Sequence, residues 1–185
     1  VKLSARWVKF VLQALILIII FGTIYVAVQQ NWRLSADQLP LRLAALATQQ
    51  IAGGTDSKAI AEDSTDLGAT LEPFVIVYDK DKKVAASSGK LNGSVPSPPK
   101  GVFDHITRTR SQERFTWEPA KGYRYATVVQ GVFKDNQVQY YVLAAQTLRE
   151  TEAQIKNLTV LVGAGWILSL ILLTGGAFLT PRLRK

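Results

Sequence analysis

The chain has 185 residues, with 22 Lys and Arg against 14 Asp and Glu and a formal charge of +8, a length that suits about one domain. There is no cysteine, which excludes disulfides, thiolate chemistry and cysteine-based metal sites. Six of the surplus cations are terminal (Lys2, Arg6, Lys9, Arg182, Arg184 and Lys185), so the segment between is close to neutral, and without a basic stripe on a folded segment no nucleic-acid partner is expected.

The first element is an apolar run. Residues 10–28 read "FVLQALILIIIFGTIYVAV" without a charge. A helix needs about 20 apolar residues to cross a hydrocarbon core of about 30 Å. A cleaved signal peptide is the alternative, but the apolar core is longer than an ordinary one and "YVAVQQ" offers no A-x-A cleavage site. Trp7 and Trp32 bracket the run like interfacial anchors. A second uncharged run, "NLTVLVGAGWILSLILLTGGAFLTP", covers 157–181. Its length and lack of charge favour a span over a buried core helix. Cations flank the outer end of each run, which by the positive-inside rule puts both termini in the cytoplasm. The expected organisation is a cytoplasmic N-terminus (1–9), a first span (10–30), an extracytoplasmic domain (31–156), a second span (157–180) and a cytoplasmic C-terminus (181–185).

After the first span, residues 29–52 read as helix. "SADQ" at 35–38 has capping-box spacing, and Leu39, Leu43 and Leu46 recur at helical steps. Pro40 would kink a helix continuing from the membrane, and Gly53-Gly54 ends it. Residues 55–70 are mixed, with a short helix near 58–62. "FVIVY" at 74–78 is a strand, "DKDK" at 79–82 a turn and "KVAASSG" at 83–89 the returning strand. Three prolines and two glycines make 92–101 a loop. A short helix at 102–111 turns Val102, Phe103 and Ile106 inward. "RFTWEP" at 114–119 is a short strand, and 122–133 and 137–146 are longer strands joined at "KDN". The fold class is therefore α+β: a five-stranded antiparallel sheet with a long N-terminal helix on one face, and with 90–112 partly covering the other. Such an arrangement often leaves a concave pocket.

Catalytic patterns are missing. His105 is the only histidine; it can pair with Asp104, but nothing suggests a nucleophile–base–acid set. Lysines interrupt the carboxylates of "DKDKK", so Asp79 and Asp81 read as turn formers and not as Ca²⁺ ligands. No phosphate-loop, dinucleotide or zinc-protease pattern occurs. No cofactor is expected, and the chain does not read as an enzyme.

Aromatic and basic residues do gather on the last three strands: Arg114, Phe115, Trp117, Tyr123, Arg124, Tyr125, Tyr140 and Tyr141. Alternation puts Phe115 and Trp117 on the face opposite Arg114, and Tyr123 and Tyr125 on the face opposite Arg124. Aromatics beside a guanidinium suit a small organic anion; ordinary cross-strand packing is the other reading. The ligand candidates are Arg114, Trp117, Tyr123, Arg124, Tyr125 and Tyr140, with a bulge near Pro119 and Gly122 needed to bring an arginine to the aromatics. In the second span, Gly165 and Ser169 permit close approach of another helix, either from a partner or from the first span of the same chain.

"FVIVYDKDKKVAASSG", "TWEPAKGYRYATVV" and "QYYVLAAQTLRETEAQI", the last running into a span, resemble the extracytoplasmic PAS-like sensor modules, also called Cache domains, of bacterial histidine kinases and chemoreceptors. The resemblance covers roughly 30–180, with Lys82 where that family's hairpin turn carries Gly. It implies a bacterial two-pass membrane sensor that binds a small ligand or a protein and signals through its membrane helices. The expected partners are the lipid bilayer and a second copy or a membrane signalling partner. The family's transmitter would follow the second span. None follows in these 185 residues, so the chain is expected to be a fragment or to act through a partner. The competing reading is a non-enzymatic accessory subunit of a membrane complex.

Topology is directly testable. In intact cells with a permeable outer barrier, a cysteine placed at Ser88 is expected to react with a membrane-impermeant reagent, and one at Ser4 is not. Equal labelling would remove the two-span arrangement.

Overall fold

A computed structural model describes residues 5–61 and 65–179. The flanking cations Lys2, Arg182, Arg184 and Lys185, the labelling position Ser4 and the expected end of a helix at Glu62 lie outside the described residues. Two units emerge, one formed by the chain up to Trp32 and from Glu152 onward, the other by Arg33–Thr151.

The helix α1 (Ala5–Ala36) is followed by α2 (Gln38–Ala52), with Asp37 between them. Pro40 explains the interruption. A proline ring collides with the carbonyl four residues back and has no N–H to offer it, so the helix cannot pass Ala36 and restarts, with Leu41 N donating to Asp37 O at 3.0 Å. The helix restarts two residues later than the "SADQ" spacing suggests: Ser35 lies inside α1, and the residue before α2 is Asp37, with φ −81°, ψ −15° and no side-chain cap bond, because a capping side chain meets the N–H groups ahead of it from an extended backbone. α2 ends at Gly53, as expected. The short α3 (Ser57–Ile60) starts on Asp56, whose carboxylate accepts from Lys58 N.

Two short strands that the sequence pattern did not reveal, β1 (Thr65–Asp66) and β4 (Gly89–Lys90), pair in parallel. Gly89 is required there: an added Cβ would lie 2.1 Å from the Leu67 side chain. The main sheet contains β2 (Phe74–Asp79), β3 (Val84–Ser87), β5 (Glu113–Ala120), β6 (Tyr123–Lys134) and β7 (Gln137–Thr147), in the order β3-β2-β7-β6-β5, every neighbour antiparallel. Its first and last strands therefore lie side by side at the centre.

Turn chemistry sets the hairpins. Asp79 Oδ1 accepts from the N–H groups of Asp81 and Lys83, both at 2.9 Å, a side chain imitating a backbone turn. Lys82 has φ 63°, a conformation that costs an L-residue roughly 1–2 kcal/mol; its ammonium pairs with Asp104. The β6–β7 turn has positive φ at both Asp135 and Asn136, the signature of a two-residue hairpin.

Alternation along the central strands gives the sheet two buried faces. Val77, Val128, Val132, Val142 and Ala144 face α2, which buries Pro40, Ala44, Ala47 and Ile51 against them. Val75 joins them half-buried. Leu39 and Leu46, which carry the helical periodicity, are exposed and Leu43 is half-buried; the alanines take the inner face because they let helix and sheet approach closely. The other face carries Phe74, Ile76, Tyr78, Trp117, Tyr125, Val129, Tyr141 and Leu143, packed on Phe103 and Ile106 of α4 (Lys100–Thr109) and on Leu67 and Leu91. Gly131 fits beneath α4 for want of a side chain: a Cβ would meet the Phe133 ring at 2.6 Å.

The other unit holds α1 and most of α5 (Arg149–Leu179). Both are long and apolar enough to cross a bilayer, and none of their most apolar stretches is buried within the protein. Gly165 lies beside α1 of the same chain: a Cβ there would lie 3.1 Å from the Phe21 ring. Ser169 Oγ bonds back to Gly165 O at 2.8 Å.

Val128 is fully buried between sheet and α2. Val128→Asp is expected to destabilise the fold by on the order of 4 kcal/mol, since the carboxylate would have no partner there. Unchanged thermal melting would refute this packing.

Candidate functional site

The aromatic residues on β5 and β6 were candidates for a ligand pocket, with cross-strand packing as the other reading; in the structure they form a packed layer. Trp117 is 5% exposed and Tyr125 2%. Tyr125 meets Phe74 edge-on at 5.2 Å and Trp117 at 6.5 Å. A second string runs Tyr78–Phe103–Tyr141, with ring centroids 5.1 and 4.8 Å apart. The three buried phenols each find a partner in the covering segment. Tyr125 donates to Leu67 O at 2.9 Å, Tyr78 donates to Pro96 O at 2.7 Å, and Tyr141 shares a 2.6 Å bond with Thr107 Oγ1. Burial with satisfied hydroxyls is the condition under which tyrosines stabilise a core.

Not all of the sequence candidates come together. Trp117, Tyr123 and Tyr125 share the α4 side, with Tyr123 half-buried at the layer's margin. Tyr140 packs on the opposite side, with Val77 and Val142 under α2. The expected irregularity is present, a register shift between Trp117 and Ala120, yet it does not turn an arginine inward. Arg114 and Arg124 are exposed and alternate onto the α2 side of their strands. Arg114 sits close enough to Asp37 to oppose the upward pull that burial exerts on that carboxyl group. His105 departs from its expected pairing: its Nε2 lies 3.2 Å from Glu113 Oε2, while Asp104 takes Lys82. The two belong to adjacent positions of one helix, so they point to different neighbours.

The arginine that does reach the Tyr123–Tyr125 corner is Arg149, the first residue of α5. Its guanidinium donates to Gly68 O at 3.0 Å. Gly68 is in van der Waals reach of Tyr123, where an added Cβ would stand 3.2 Å from the ring. Asp66 shapes the same loop by accepting from Gly68 N at 2.9 Å. Electrostatics place the group together: burial raises the Tyr125 phenol above its usual value, Arg149 pulls it down, and Tyr123 and Asp66 push it up. The corner thus presents a guanidinium and a carboxylate, both exposed, beside a half-exposed phenol. Chemically it can bind a small carboxylate through Arg149 with an aromatic wall at Tyr123. Sequence reasoning missed Arg149 and Asp66 because residues 65–70 carry no periodic pattern, and Arg149 reads as the start of a helix. Among the described residues no cluster of His, Cys, Asp and Glu could hold a metal ion.

No protein-family model matches the sequence, and no curated protein is similar enough to count as a relative.

Burial raises the Tyr78 phenol well above its usual value. Below about pH 10, the unfolded-state value, the hydroxyl is protonated in both states and its contribution is fully present. As pH rises further, the unfolded chain releases a proton that the folded chain retains, so stability falls. Thermal melting is expected to drop between pH 10 and 11.5 in the wild type and to drop less in Tyr78→Phe. Parallel profiles would refute the burial argument.

Proposed function

We propose that the chain is a two-pass membrane receptor of the bacterial cytoplasmic membrane. Both termini are cytoplasmic, and a PAS-like outer domain binds a small organic anion, or a protein presenting one, and signals through its membrane helices to a partner. The observation that carries this reading is Arg149. The residue that opens the second apolar helix also holds the loop over the aromatic layer and borders a corner where a guanidinium acts on the Tyr125 phenol. A carboxylate that takes Arg149 from Gly68 O alters the hold on that loop and the first turn of α5 together. A few kcal/mol of differential binding is enough to bias two helix arrangements.

The PAS-like assignment is supported by the five-stranded antiparallel sheet, the helix preceding it and the Asp79-centred hairpin. Lys82 adopts the positive φ that suits the glycine of the family turn. A second reading, the accessory subunit, draws on the filled aromatic layer, since Trp117 and Tyr125 leave no room for a ligand between them and α4.

The test is a thermal-shift screen of the full chain in phospholipid nanodiscs against small carboxylates. A ligand at 100 times its dissociation constant should add about 2.7 kcal/mol. Arg149→Ala is expected to abolish the ligand-dependent shift, and Arg124→Ala to preserve it. A broad screen without any shift would favour the accessory subunit.

A further inference from the structure

We draw no further inference here: the strongest candidate, the surface patch of exposed Leu39 and Leu46 along α2, with Leu43 half-buried beside them, is an unpartnered apolar face, and nothing in the structure shows what covers it.

Discussion

Three strands, β2, β7 and β6, carry apolar side chains on both of their faces, and the rest of the 33–151 unit follows from covering them. Val77, Val128, Val132 and Val142 turn one way, while Ile76, Tyr78, Tyr125, Val129, Tyr141 and Leu143 turn the other. Fully burying one such side chain is worth about 1.5–3 kcal/mol, so neither face can be left to water. α2 covers the first through alanines. The second carries bulky rings and needs a deeper cover, which α4, Leu67 with the loop after it, and the irregular chain from Leu91 to Pro99 provide. The three hairpins, β2–β3, β5–β6 and β6–β7, are each closed by residues held at positive φ: Lys82 in the first, Gly122 in the second, Asp135 and Asn136 in the third. Their turns therefore fix the register on which the two-faced alternation depends.

The deeper cover is fastened by polar groups. A loop over an aromatic face brings backbone carbonyls with it, and each buried carbonyl must be bonded. The phenols of Tyr78 and Tyr125 meet that need at Pro96 and Leu67. Arg149 does the same for Gly68 from outside. That last bond ties the first residue of α5 to the cover, since its donor belongs to α5 and its acceptor to the loop. The aromatic cluster is therefore the floor beneath the candidate corner, and the groups a solute can reach are Tyr123, Asp66 and Arg149 at its margin.

The apolar helices obey a different constraint. With no water to drive helices together, they associate through shape, as where Phe21 packs over Gly165. Gly22 and Gly163 leave open space instead, since a Cβ at either would find no atom within 4 Å.

What the sequence determined by itself was whatever depends on local pattern. Two uncharged runs marked the apolar helices. Period-two alternation located all five strands of the main sheet, and "DKDK" and "KDN" marked two of its three tight turns, because turn chemistry acts over a few residues. The burial of Val77, Val128 and Val142 was legible from alternation alone. Tertiary structure decided what depends on partners distant in the chain. Leucine spacing on α2 pointed to one helix face, but the sheet's need for close approach selected Ala44 and Ala47. Alternation separated Arg114 and Arg124 from the tyrosines, but only the path of 65–70 over the sheet could bring Arg149 to them from 81 residues beyond Gly68. Trp117 and Tyr125 had the same sequence signature as ligand-binding aromatics and became core, since a ring's role is set by what lies across from it, and that was the segment without a pattern of its own.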